Sequence, residues 1–153
     1  MSDLPTPPPA PVAYTSGPSG PRASFGRRLV ALIVDGALLT VPYGILLVVV
    51  ERPAAAGLSF VVDLVYFSYF EGSASGQTIG KRALGIRVID FSSGGPIGFG
   101  RGILRYVARI LSYVVCLLGY FWMLWDKEKQ CWHDKIATTV VVPVQYYPVA
   151  HWP

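Results

Sequence analysis

Three long apolar runs, separated by short polar breaks, set the pattern of the chain. The first, LVALIVDGALLTVPYGILLVVV over residues 29–50, carries a single charge, Asp35. A helix of about 20 residues rises about 30 Å, the thickness of a bilayer's hydrocarbon core, so the run predicts a transmembrane helix. Pro42 removes a backbone donor and predicts a kink there. Gly36, Thr40 and Gly44 form a small-residue stripe at four-residue spacing, which predicts a face turned toward another helix. Glu51, Arg52 and Pro53 break the pattern, and a second run follows over residues 54–70. That run stands at the lower limit, about 17 residues, for a crossing. So short a connection allows only an antiparallel hairpin, and Tyr66, Tyr69 and Phe70 supply an aromatic belt near its end.

From Glu71 to Arg105 the chain is polar and glycine-rich. Apolar and polar residues alternate from Leu84 to Asp90, which predicts a short strand, and the SSGGP that follows predicts a turn. The third apolar run covers residues 103–125, with Arg109 near its start and Tyr120, Phe121, Trp122 and Trp125 crowding its end. A β-branched stretch, residues 138–142, comes after a polar DKEKQCWHDK segment. The expected architecture is an all-α membrane protein. It has two transmembrane helices, about 29–50 and 54–70, a third long hydrophobic helix over 103–125 that crosses or bends back, and a short β-like cytoplasmic segment.

Composition agrees: 52% of the 153 residues are hydrophobic and 14% charged, against about 25% charged in a soluble domain. The first 22 residues hold seven of the thirteen prolines and offer no periodic apolar face, so a disordered tail is expected over 1–22. An acidic, proline-rich start does not fit a cleaved signal peptide. The transmembrane domain is expected over 23–145 and a C-terminal tail over 146–153. Cys116 and Cys131 differ too much in context to form a disulfide framework, and both are read as thiols. The net charge of +4 sits beside apolar runs rather than in a basic domain, which favours anionic lipid over nucleic acid as its partner.

Lysine and arginine placement sets the orientation. Arg22, Arg27 and Arg28 precede the first run, five basic residues lie within the loop up to Arg105, and only Arg52 lies between the first two runs. The N-terminus and the 71–105 loop are therefore expected to be cytoplasmic in a multi-pass protein of the cell membrane. A straight third crossing would carry Lys127, Lys129 and Lys135 to the other side, and a bent one would keep them in. If the strand near 86–90 pairs with 138–142, the third helix cannot be a simple crossing, and Gly119 is where it could bend.

Three stretches resemble the RDD family of integral membrane proteins, named for one arginine and two aspartates. They are GRRLVALIVD, with Arg28 seven residues before Asp35; GQTIGKRALGIRVID over residues 76–90; and GYFWMLWDKEKQCWHDKIATTVVV over residues 119–142, containing Asp134. The resemblance makes Arg28, Asp35 and Asp134 the name-giving positions. One departure stands out: the family pattern has Ala-Gly-Thr where this chain has Ala137-Thr138-Thr139. For some members the family implies transport of ions or small ligands.

Arg28 and Asp35 are about two turns, or about 10 Å, apart on one face of a helix. Asp63 lies seven residues from the end of the second run, at a matching depth. With Arg109 a few residues into the third run, these positions predict a buried cluster of Asp35, Asp63 and one arginine. An intramembrane aspartate costs about 3 kcal/mol on insertion scales, and two adjacent ones raise each other's proton affinity. Such a cluster would handle a proton or monovalent cation, or else would act as a structural pair that fixes helix packing.

Other motifs carry less. GQTIGKR has three residues between its glycines and arginine after the lysine, so it is not a phosphate loop. Trp132-His133-Asp134 lacks a nucleophile, two histidines do not make an ordinary zinc site, and no enzyme activity, cofactor or metal is expected. Asp134 should cap a helix start or pair with basic residues of the loop. Two functions follow: ion- or proton-linked transport as a homo-oligomer, or an accessory or scaffold subunit of a larger membrane complex.

Overall fold

The computed structural model describes residues 20–114 and 118–149. The proline-rich tail up to residue 19, Cys116 and residues 150–153 lie outside the described residues. Two long helices dominate: α1, Phe25–Val49, and α2, Arg52–Gly72. By length and apolar composition both could cross a membrane, as the sequence predicts. Ser24 caps α1 by accepting from the Arg27 N–H, so the helix begins before the greasy run and takes Arg27 and Arg28 into its first turn. It continues through Pro42. Pro53 opens α2, where its missing N–H costs nothing. Both helices turn apolar side chains outward, with Val41, Ile45 and Val48 exposed on α1 and Leu58, Val61 and Val65 on α2.

At the end shared by the start of α1 and the end of α2, the rest of the chain folds into a polar cap. It contains α3, Ile79–Ala83; β1, Ile86–Asp90; α4, Gly98–Val114; α5, Leu118–Phe121, followed by a 3-10 turn over 122–124; α6, Trp132–Ile136; and β2, Thr139–Pro143. The strands pair antiparallel, with Val88 opposite Val141 and Asp90 opposite Thr139. The cap's apolar core joins Ile86, Val88 and Val141 to Ala23 and Ala31 of the α1 side, and the Ala23 N–H donates to the Val141 carbonyl at 3.0 Å. Tyr147 packs on the other face of the sheet, against Ile89, Val140 and Val142.

The third apolar run is not one straight helix. In an uninterrupted helix, residues seven apart are separated by about 10 Å along the axis. Here a Cβ added to Gly119 would lie 2.5 Å from Ser112 Oγ, and the Tyr113 and Tyr120 rings lie 5.2 Å apart. The chain therefore doubles back after Val114, and β2 can return beside β1. Among the described residues two helices, α1 and α2, are long and apolar enough to cross a membrane. The helix also starts earlier than expected, at Gly98, and Gly72 of α2 with Gly102 of α4 lets the two helices lie backbone to backbone: a Cβ at Gly72 would meet the Gly98 carbonyl oxygen at 2.8 Å. A Cβ at Gly102 would meet the Ser68 carbonyl oxygen at 2.6 Å.

Among the described residues the small-residue stripe of α1 faces no other helix: Gly36, Thr40 and Gly44 are exposed, and a Cβ at either glycine would meet nothing within 4 Å. The GQTIGKR glycines have packing roles. Gly76 (φ +63°) would place a Cβ 2.1 Å from the Val88 carbonyl oxygen, and Gly80 lies against the Ala31 carbonyl.

Thr138, where the family pattern has glycine, takes φ 53°. A β-branched residue in the left-handed region is strained by about 1 kcal/mol or more. Thr138→Gly should therefore raise unfolding stability by about 1 kcal/mol, as measured by chemical unfolding in mixed micelles. An unchanged or lower stability would contradict the strain.

Candidate functional site

Under the cap lies a network of buried charges. Glu71, in the last turn of α2, is fully buried and meets three cations: Arg105 Nε at 2.9 Å, Arg109 Nη2 at 2.6 Å and Lys81 Nζ. Asp134, also fully buried, meets Arg28 Nη1 at 2.6 Å and Arg105 Nη1 at 2.6 Å, and accepts from the Cys131 N–H at 3.1 Å. Arg105 thus bridges both carboxylates. Spacing explains the arrangement: Arg101, Arg105 and Arg109 fall at four-residue intervals on α4, which puts them on one face with no acid of their own helix to meet. Arg105 and Arg109 turn inward, while Leu104, Val107 and Leu111 are exposed on the opposite side. Arg101 pairs outside the network with Asp90.

Asp35 forms a separate centre. Its carboxylate accepts from the Tyr66 hydroxyl at 2.7 Å, the Thr78 hydroxyl at 2.6 Å and the Gly80 N–H at 2.8 Å. All three donors are neutral, and two come from the cap segment that reaches back to α1. The expected cluster of Asp35, Asp63 and an arginine is not assembled, because the 71–85 segment folds against α1 and fills that position. Asp63 is half-buried in a groove with Pro42, Tyr43, Ser59 and Val62, and the described residues give it no hydrogen bond or ion pair. Arg28 and Asp134 are brought together directly, and Arg109 joins Glu71. Asp134 both caps α6 and pairs with basic residues.

Sequence reading missed Glu71, Lys81 and Arg105. Glu71 opens a Gly-Ser segment that looks like a surface loop. The usable signal was the α4 arginine stripe, which needs an acceptor from another element.

Burial works against the Asp134 carboxylate, but the Arg105 and Arg28 guanidiniums and the Cys131 N–H outweigh it and hold the carboxyl well below its ordinary range. Burial pulls Lys81 down to about 8, against the attraction of Glu71. Burial also pulls His133 down to about 3, so the imidazole is neutral, with Nε2 3.6 Å from Asp134 Oδ1. A histidine whose folded pKa lies below its ordinary 6.5 holds fewer protons in the folded chain than in the unfolded one. Stability must then fall as pH drops below 6.5 toward 3, by about 1 kcal/mol per pH unit at first. Unfolding in neutral micelles from pH 7 to 4.5 should show this slope, and His133→Gln should flatten it. A flat wild-type profile would remove His133 from the account.

Cys131, His133 and Asp134 each bring a donor atom within 4.8 Å of the others. They do not fit a metal centre: both Asp134 oxygens are on guanidiniums, and burial pushes the Cys131 thiol up to about 12. Beside the network, Arg28, Asp35, Lys81, Arg105, Arg109 and His133 line a cavity of about 120 Å³, which apolar residues complete.

The model of the RDD family matches residues 22–138. The chain is 37% identical to the proline-rich antigen of Mycobacterium leprae over 89 residues, 58% of this chain and 36% of that protein. It is 36% identical to a proline-rich antigen homolog of Mycobacterium tuberculosis over 91 residues, 60% of this chain and 37% of that protein. It spans little more than a third of the length of these relatives. It is also 28% identical to an uncharacterized protein of Bacillus subtilis over 147 residues, 78% of this chain and 96% of that protein. No solved structure matches.

Proposed function

The chain belongs to the RDD family, and from that premise we propose that it is a two-span membrane protein acting as an accessory or scaffold subunit, self-assembling or joined to a larger membrane complex. The hairpin of α1 and α2 crosses the cell membrane, and the cap lies at the cytoplasmic face. All thirteen lysines and arginines except Arg52 belong to the cap end, the distribution the positive-inside rule requires. The bent third run supports this, since it keeps Lys127, Lys129 and Lys135 with the other cations. The outward aliphatic face of α4 suits an interfacial helix lying in the headgroup region.

The observation that carries the scaffold reading is the state of the buried carboxylates. Glu71 and Asp134 are already held by arginines that do not deprotonate, and Asp35 by three neutral donors. Such groups hold the cap on the hairpin rather than cycle protons. The open small-residue stripe of α1 then offers the contact face for a neighbouring helix.

Proton- or cation-linked transport is the second reading, favoured by Asp63, an acid within a span that lacks an ion pair among the described residues. Native mass in mild detergent, together with flux in proteoliposomes, separates the two. Scaffold action predicts an oligomer that Gly36→Leu and Gly44→Leu dissociate, with no pH-driven flux. A monomeric parent whose flux is lost in Asp63→Asn would replace it with transport.

A further inference from the structure

The cavity beside the charge network changes character along its length. Its buried end carries Lys81, Arg105, Arg109 and His133, none more than 8% exposed. Its more open side carries Leu29, Tyr113 and Phe121, which are 42%, 47% and 40% exposed, and half-buried Leu32 also lines it. Cations dominate its lining. Arg28, Lys81, Arg105 and Arg109 line it with one acid, Asp35, while Glu71 and Asp134 pair with these cations from outside the lining. A buried, cation-rich wall suits an anionic guest. Among the lining side chains, Arg109 Nη1 and His133 Nδ1, on residues only 6% and 4% exposed, have no hydrogen-bond partner among the described residues, and neither has Arg28 Nε.

We propose that this cavity binds a single-chain anionic amphiphile of the long-chain fatty acid type. Its carboxylate sits at the buried end on Arg109, accepting from the unpartnered Nη1. Its alkyl chain leaves past Leu32, Leu29 and Phe121 toward the outward apolar face of α1, where Ile33 is exposed. Each half of the site selects for one half of that molecule. A small soluble anion would leave the apolar exit unused, and a diacyl phospholipid would have to bring a bulkier headgroup into about 120 Å³.

The test uses the full chain in a neutral maltoside detergent, with oleate, butyrate and phosphatidylglycerol as separate probes, read by native mass spectrometry. Oleate should bind saturably, one per chain, and butyrate and phosphatidylglycerol at least tenfold more weakly. Leu32→Trp, which fills the passage and leaves every charged residue in place, should weaken oleate at least tenfold at an unchanged unfolding temperature. If that variant does not fold, Leu29→Trp at the exposed end makes the same comparison. Butyrate binding as tightly as oleate would show a bare anion site, and tighter phosphatidylglycerol a diacyl site. Either result overturns the proposal, as does oleate uptake that is unsaturable or indifferent to the blocking variant.

Discussion

Glutamine in place of Glu71 should destabilise the folded chain by about 3–5 kcal/mol, the cost of leaving buried charges without their partner. The side chain keeps its shape, so packing changes little. Three cations, Lys81, Arg105 and Arg109, lose their common anion while remaining buried. Only one of them can relieve the imbalance. The guanidiniums stay charged at any usable pH, whereas burial already draws Lys81 down to about 8 in the presence of Glu71. In the variant that attraction is gone and the ammonium should shed its proton more readily still. The loss of stability in Glu71→Gln should therefore be larger at pH 7 than at pH 9, and Lys81→Met should recover part of it when combined with Glu71→Gln. Unfolding of the four proteins of this cycle in mixed micelles measures the coupling. Additive effects, with no pH dependence, would mean that the three cations are hydrated and the network is not a sealed one.

Asp134→Asn should cost about 3 kcal/mol, but with a different spatial signature. Asp134 ties the start of α1, through Arg28, to α6 and to α4 through Arg105. Arg105 keeps Glu71 when Asp134 is neutralised, and Arg28 keeps the Lys129 carbonyl at 2.8 Å. The α1–α2 hairpin should survive while the cap loosens. Hydrogen exchange is expected to rise over residues 131–143 and to stay slow in α1 and α2. Uniform acceleration across the chain would show that the cap and hairpin unfold as one unit.

The parts of this fold that were legible in the sequence are those encoded by length and periodicity. The two spans follow from uninterrupted apolar runs, and the strand pair from alternation over 86–90 and the β-branched stretch that ends the family motif. The reversal after Val114 was visible only as one of two options, because hydropathy records how greasy a segment is and not whether its axis continues. The Asp35 environment was misjudged for a related reason. Counting depth along two helices assumes that only helices reach that depth, whereas the Thr78–Gly80 segment folds inward to donate to the carboxylate. Glycine at 80 makes this possible, since a side chain there would collide with the Ala31 carbonyl at 2.2 Å. Glu71 was hidden by its glycine and serine neighbours, and its arginine partners lie more than thirty residues away in sequence.

The hydrogen bond from Ala23 to Val141, with the Arg28 to Asp134 ion pair beside it, fastens the entry to α1 to strand β2, more than a hundred residues later. A ribosome must deliver residue 141 before that clasp can shut. The hairpin can enter the bilayer long before then, since both of its helices precede residue 73. During that interval Arg28, Asp35 and Glu71 lack their final companions, and closure of the clasp follows the hairpin rather than preceding it.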